Sequence, residues 1–195
     1  MQERVIVRQN TRILTPAQYF RLRENLDQNI GYQLITDALL HTGLRVVEFW
    51  SLLDHPEWYH ASSRLVDLPA EGSTKKEKTE RTERTVRLSI PGCKALELAF
   101  ACKISFRHRS AMGRALKLAA DKAGLGRKGI VPKMFRKMLA SYLVEVRKDL
   151  NIDGLEITAN MGHDEKTLVK HYFGLGFTVQ DHNDILELLK GWKGE

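Results

Sequence analysis

The sequence predicts a mostly α-helical domain with one small antiparallel β-sheet near its middle, an α+β architecture. Helix start and stop signals recur along most of the chain, beginning with Thr15-Pro16. Two stretches of β-branched or alternating residues, 58–68 and 82–90, flank a polar run. The 195 residues, 43% of them hydrophobic, are enough for one buried core, and no long linker or internal repeat divides them.

The elements follow in order. Residues 1–14 are a lead-in. Thr15 suits an N-cap, Pro16 the first helical position and Gln18 a capping box, so a helix runs to about Asn29. A second helix covers about Tyr32 to His41 and stops at Gly43, and a third carries Arg45 to Leu53. The strands 58–68 and 82–90 are joined through Glu71 to Arg81, with Gly72 as breaker, as a long hairpin or short sheet with a mobile tip. After Pro91-Gly92 the chain returns to helix over about 93–103, then over 110–123 with Ser110 as cap and Gly124 as stop. Pro132 opens a helix to about Lys148, Asp153 with Glu156 caps a short one to about Met161, and Asp164 starts another to about Tyr172. Gly174 and Gly176 loosen the backbone before a last helix, about 181–192, with Ile185, Leu188, Leu189 and Trp192 on one stripe. The division is a single domain, 1–195: lead-in 1–14, core 15–176 and tail 177–195.

Charge narrows the partner. The formal net charge is +7, and residues 103–148 hold thirteen Lys or Arg against two acids, leaving the remainder at −4. Such a stretch is either a solvated basic face or a surface for a polyanion, and its one-sidedness favours the polyanion. Arg107, Arg109 and Lys137 within it are candidate contacts for such a polyanion. No apolar run approaches the roughly 18 residues needed to cross a membrane, and the N-terminus lacks a secretory pattern, so the expected location is cytoplasmic. Cys93 and Cys102 could pair, but in a reducing compartment they read as plain buried residues. The seven histidines show no metal-ligand spacing, His41 and His108 read as structural, and neither metal nor cofactor is expected.

Three motifs carry chemistry. In Thr42-Gly43-Leu44-Arg45-Val46-Val47-Glu48, Gly43 ends one helix and Arg45 starts the next. An arginine at a helix N-terminus opposes the dipole, so it either grips an anion or is held by Glu48 one turn on. In Pro132-Lys133-Met134-Phe135-Arg136-Lys137, Lys133 and Arg136 share a helical face, where like charges repel unless a phosphate lies between them. In Met161-Gly162-His163 and His171-Tyr172, a loop must bring His163 and Tyr172 together, because nine residues apart on one helix they would face opposite ways.

The order Thr-Gly-Leu-Arg-x-x-Glu, a lysine-bearing hairpin, basic-x-x-Arg and Gly-His-x8-Tyr resembles the tyrosine recombinase/integrase family over about residues 15–192. The resemblance implies that family's catalytic-domain fold, double-stranded DNA as partner, and strand cleavage and rejoining through a 3′-phosphotyrosine link. It implies that Arg45 and Arg136 clamp the scissile phosphate, Glu48 supports Arg45, His163 stabilises the phosphate and moves a proton, and Tyr172 is the nucleophile. A hairpin lysine would protonate the leaving 5′-oxygen: Lys78, or else Lys75 or Lys76, with these two otherwise contacting DNA. Two positions depart from the pattern: Lys133 replaces the usual histidine, and Lys137 follows the arginine where histidine is common. Lysine at 133 is similar to the integrases of archaeal viruses and plasmids; an ammonium is a poor base at neutral pH but still supplies positive charge.

The residue types suit the chemistry. Guanidiniums give paired hydrogen bonds to non-bridging oxygens, and nearby positive charge helps a phenol with a pKa near 10 form its phenolate. Type IB topoisomerases, with similar chemistry, and a non-catalytic DNA-binding protein are the alternatives. The tail stripe either packs on a neighbouring protomer on DNA or covers its own core. Family members usually carry an N-terminal DNA-binding domain. The present chain starts about fourteen residues before its first catalytic-domain helix, so its own DNA binding is expected to be weak and salt-sensitive.

Overall fold

The computed structural model describes residues 5–26, 30–70, 83–104, 109–162, 166, 168, 172 and 174–193. The described residues open on a hairpin, β1 (Ile6–Arg8) and β2 (Thr11–Ile13), in the segment expected to be a lead-in. Gln9 and Asn10 close it with φ of 50° and 55°, the doubly left-handed turn whose twist matches that of the strands. Three-residue strands are too short to show a period, and Gln-Asn is a weaker turn signal than Asn-Gly, so the hairpin is hard to see in sequence. It is nevertheless anchored. Ile13 and Leu14 are fully buried, Tyr142 Oη donates to the Leu14 carbonyl at 2.7 Å, and the Arg12 amide donates to Gly129 O at 2.9 Å.

Helix α1 (Pro16–Glu24) starts with the expected capping box, in which Thr15 Oγ1 accepts from the Gln18 amide and Gln18 Oε1 accepts from the Thr15 amide. It ends at Glu24, short of the expected Asn29. Helix α2 (Ile30–Thr42) is the central one, packed against α4 (Ile90–Ala101) and α6 (Met134–Glu145), with Ile35, Ala38 and Leu39 fully enclosed. Asp37 of α2 accepts from Arg23 Nε at 2.7 Å and from Tyr19 Oη, tying α1 to this core. Helix α3 (Val46–Asp54) follows.

The sheet differs from the expected pair of strands. The stretch 58–68 folds back on itself into β3 (Tyr59–His60) and β4 (Leu65–Leu68), with Arg64 left-handed in the intervening turn. β5 (Arg84–Arg87) completes an antiparallel order β3-β4-β5, pairing Val66 with Val86 and Leu68 with Arg84. Val66, Leu68, Val86 and Leu88 face the core.

Helix α4 also starts earlier than expected. Ser89 Oγ accepts from the Gly92 amide at 3.1 Å, so Ser89 is the cap and Pro91 sits in the first turn, where its missing N–H costs nothing. Helix α5 (Arg109–Lys122) begins one residue ahead of the proposed cap Ser110, and α6 ends a turn before Lys148. Helix α7 (Gly154–Met161) carries the expected Asp153–Glu156 capping box.

The tail helix α8 (Val179–Leu188) is capped by Thr178 and Asp181. Its stripe lies on the chain's own core: Ile185, Leu189 and Trp192 are buried and Leu188 partly so. The Ile90 amide donates to Lys190 O at 2.8 Å, joining the tail to the start of α4. His182 lies 3.3 Å from Glu145 and from Asp149, at the far end of α6. No helix among the described residues is long and apolar enough to cross a membrane.

Because the Trp192 indole is enclosed by its own domain, Trp192→Ala is expected to lower stability by about 3–5 kcal/mol, as for other buried aromatics. Urea denaturation would measure this, and a change below about 1 kcal/mol would show that the tail is dispensable to the core.

Candidate active site

The site forms where α3, β5 and α6 meet. Gly43, between α2 and α3, has φ of +61°, and a Cβ there would come within 2.8 Å of Leu139 Cδ2. The position therefore takes glycine for two reasons, backbone conformation and close packing on α6. The turn exposes the Gly43 carbonyl to Arg136 Nη1, which donates to it at 2.7 Å. Two residues on, Arg45 occupies the N-cap position of α3 in extended conformation.

Glu48, one turn into α3, has no exposed surface. It accepts from the Arg45 amide at 2.8 Å and from Arg45 Nη1 at 2.5 Å. It also accepts from Arg84 Nη1 at 3.1 Å and Nη2 at 2.7 Å. Burial alone would push this carboxyl up. The Arg84 hydrogen bonds and charge, the Arg45 amide and the charge of Arg136 overcome it and hold Glu48 down at about 2. It is therefore ionised throughout the physiological range.

Arg136 is buried beside the pair. Desolvation, then the like charges of Arg84 and Arg45, push its guanidinium down to about 9, while Glu48 and Tyr172 act the other way. It remains a cation at neutral pH, held in a place that disfavours one. Tyr172 has helical backbone and is 4% exposed. Burial raises its phenol above the ordinary value, and Arg136 opposes that rise, so the two groups lie within electrostatic reach of each other. The structure thus brings Arg136 to the local Arg45–Glu48 pair, with Tyr172 within electrostatic reach of Arg136.

Lys133 is exposed at the start of α6, one turn from Arg136. Lys137 is half-buried, and its Nζ donates to Arg8 O and Gln9 Oε1, both at 3.0 Å, on the N-terminal hairpin. Burial and the charge of Lys133 lower its pKa. His41 is buried against Ser89 Oγ and pushed down to about 4 by desolvation, consistent with a structural role. Lys75, Lys76, Lys78, Arg107, His108 and His163 lie outside the described residues. Arg109 is the first residue of α5.

The sequence reading missed Arg84. Its signal was the alternation Arg84-x-Val86-x-Leu88, which places an arginine on the same strand face as two fully buried aliphatics. A charge on a core-facing strand position needs a buried counter-charge, and Glu48 is that partner. Gly162 ends α7 at φ +57°, and a Cβ on it would meet Arg84 Cδ and Nη1 at 3.2 Å. The Asn160 side chain holds the same strand by accepting from the Arg87 amide at 2.6 Å.

No protein-family profile and no curated protein matches the chain in sequence. Among solved structures, the Tn1549 transposon integrase in complex with transposon right end DNA superposes with a TM-score of 0.63 at 15% identity, covering 90% of this chain and 65% of its own. The same integrase in complex with circular intermediate DNA gives 0.62 at 16% identity, covering 89% and 66%. XerA recombinase gives 0.57 at 18% identity, covering 89% and 61%. The chain therefore spans less than two thirds of those proteins' described lengths. At this identity the likeness is one of fold: mostly α with small antiparallel sheets, matching tyrosine recombinase catalytic domains.

The depressed Glu48 carboxyl sets a pH window. A group held lower in the folded than in the unfolded state stabilises fully above its unfolded value, and the stabilisation is lost as pH falls through the folded one. Glu48 should thus support the fold above about 4.5 and cease to do so as pH approaches about 2. Glu48→Gln should cost about 3–5 kcal/mol at pH 7, because it leaves the arginines without their buried counter-charge. It should also flatten the acid limb of stability against pH. Urea melts of both proteins from pH 3 to 7 would measure this, and an unchanged acid limb would contradict it.

Proposed function

We propose that this chain is the catalytic domain of a site-specific DNA recombinase or integrase, cleaving and rejoining strands through a 3′-phosphotyrosine bond to Tyr172. The observation that carries this reading is the convergence of Arg45, Arg84 and Arg136 on Glu48, the carboxylate they share among the described residues, with the Tyr172 phenol within electrostatic reach of Arg136. Guanidiniums gathered in one place favour an anion, and their paired N–H donors suit phosphate oxygens. The fold shared with DNA-bound Tn1549 integrase and the basic stretch 103–148 support double-stranded DNA as the partner.

In this reading Arg45 and Arg136 each donate to the non-bridging oxygens of the scissile phosphate, and Glu48 orients Arg45. The Tyr172 oxygen attacks phosphorus, the bond to the 5′-oxygen breaks, and the phenolic proton passes to His163 as the ester forms. Lys78, on the segment joining β4 to β5, donates a proton to the departing 5′-oxygen, with Lys75 and Lys76 the alternatives. His163 follows Gly162 and assists the phosphate and the proton. Lys133 contributes charge, and its likeness to archaeal viral and plasmid integrases rests on that position alone. Lys75, Lys76, Arg107, Arg109 and Lys137 contact the DNA backbone or its surroundings. Rejoining is the reverse displacement and conserves the energy of the broken ester, so it needs no nucleotide cofactor. Further protomers assemble on the DNA to exchange strands, in the cytoplasm.

Incubation with a nicked suicide duplex should give a denaturation-resistant protein–DNA adduct, lost in Tyr172→Phe while DNA binding is kept. Failure of the native chain to form it, with binding intact, would refute the reading. Arg45→Ala and Arg136→Ala should each slow cleavage by at least about 10²-fold, as loss of a preorganised donor does.

Lys78→Ala should lose about 10²–10⁴-fold on ordinary DNA, the usual worth of a general acid. It should recover when the bridging 5′-oxygen is replaced by sulfur, which leaves without a proton, whereas Arg45→Ala should stay slow. Recovery in Lys75→Ala or Lys76→Ala instead would move the acid to that residue.

A further inference from the structure

The hairpin β1–β2 carries none of the residues proposed for cleavage, yet the chain fixes it closely to the segments beside them. Lys137, next in sequence to Arg136, donates through Nζ to Arg8 O and to Gln9 Oε1, both at 3.0 Å. An ammonium has three N–H donors, so two of them are spent on the hairpin turn. On the second strand, the Arg12 amide donates to Gly129 O at 2.9 Å, and Arg12 Nη1 donates to Leu125 O. Gly129 has φ of +76°, and a Cβ there would lie 2.7 Å from the Arg12 nitrogen. The loop between α5 and α6 is therefore fitted to the hairpin backbone.

These bonds bring cations together. Arg8 at the hairpin turn, Lys128 beside Gly129 and Lys133 at the start of α6 are all exposed. Burial and then the charge of Lys133 lower the pKa of Lys137, so those two ammoniums feel each other. The sequence holds no acid between Asp121 and Glu145, and Asp121 itself is engaged by Arg127 Nε. Like charges fixed beside one another repel, and a polyanion laid across them relieves the repulsion. Lys133 and Arg136 are one helical turn apart, so this ridge leads up to the candidate active site. A duplex carries a phosphate every ~3.4 Å of axis on each strand, so a strand with one phosphate in the site must pass others along its flank.

We infer that the hairpin β1–β2 and the loop between α5 and α6 form a surface for the phosphate backbone of duplex DNA. In it Arg8 and Lys128 each contact a phosphate, and Lys137 is the positioning residue that holds Arg8 in place. This rests on the function proposed above and deepens it by adding the contacts that flank the cleaved phosphate. The partner is an extended backbone and not a single small anion, because the cations sit on separate segments and none is enclosed. Contacts of this kind set register and orientation on the duplex without reading its sequence. Lys137 serves the DNA through the hairpin, which is why its ammonium lies on neutral oxygens of the turn.

The test measures equilibrium binding of the full chain and its variants to a short duplex at several chloride concentrations. Single-turnover cleavage of a nicked duplex at saturating DNA is measured alongside. Arg8→Ala and Lys128→Ala should each reduce the slope of log affinity against log salt by about 1, equally for unrelated duplex sequences. Cleavage at saturating DNA should stay within about threefold of the native rate, because such contacts hold the ground and transition states alike. Lys137→Met keeps the apolar stem and removes the donors. It should reduce the slope at least as much as Arg8→Ala, and adding Arg8→Ala to it should reduce the slope no further. Additive losses in the double variant would overturn the role of Lys137. Unchanged slopes in Arg8→Ala and Lys128→Ala would overturn the surface. So would variants that lose binding to poly-glutamate and keep it to the duplex, an outcome that points to an acidic protein partner. Should Lys137→Met not fold, the two exposed-residue variants still decide whether the surface exists. If the native chain forms no covalent adduct while both single variants lose slope, the recombinase reading fails and the surface stands. If the adduct forms and the slopes do not change, the reverse holds.

Discussion

A carboxylate with no exposed surface, Glu48, holds this structure's site together. Removing such a group from water costs several kcal/mol, which only close, well-aligned cations can offset. The cations come from separate parts of the chain: Arg45 from the cap of α3, Arg84 from β5 and, at longer range, Arg136 from α6. The ion pairs on ionised Glu48 therefore tie β5 to α3. Gly43 and Gly162 make this possible, because each takes a left-handed backbone and leaves room that a Cβ would fill.

The same cluster is a liability for stability. Arg136 is buried where desolvation and its neighbours disfavour its charge, and Tyr172 is buried where its phenolate is disfavoured except for Arg136. The surrounding core offsets this. Leu39, Leu139 and Met161 are all but fully enclosed, and Leu139 and Met161 press directly on Gly43. A local departure from what favours folding, compensated by its surroundings, is the pattern expected of a functional site. In the proposed reaction the anion that relieves the arginines is the one whose charge grows as the phosphoryl group transfers.

Much of this was legible in the sequence, for identifiable reasons. The boxes Thr15–Gln18 and Asp153–Glu156 are local devices, and they form as read. The Arg45–Glu48 pair is one helical turn apart, so it too could be read locally. Arg84 could not be found that way, since its partner lies 36 residues upstream and only the buried strand face it shares with Val86 hints at a counter-charge. The N-terminal hairpin escaped because its strands are three residues long and its turn lacks glycine. The fold of 58–68 into two strands was hidden because four residues, 61–64, make the turn without Gly, Pro or Asn. Pro91-Gly92 was read as a break although Ser89, two residues earlier, caps a helix that runs through it. The apolar stripe of the tail is legible in the sequence, while its docking on α1 and the rest of the core depends on tertiary packing that periodicity does not encode.

The proposed covalent step at one tyrosine near this buried arginine cluster is tested most directly by mass spectrometry. The chain is incubated with a nicked duplex, the DNA is digested to a short remnant, and tryptic peptides are searched for a nucleotide-bearing tyrosine. A single modified peptide carrying the remnant on Tyr172, joined through a 3′-phosphate, is expected. A remnant on another tyrosine such as Tyr142, or one joined through a 5′-phosphate, would contradict it.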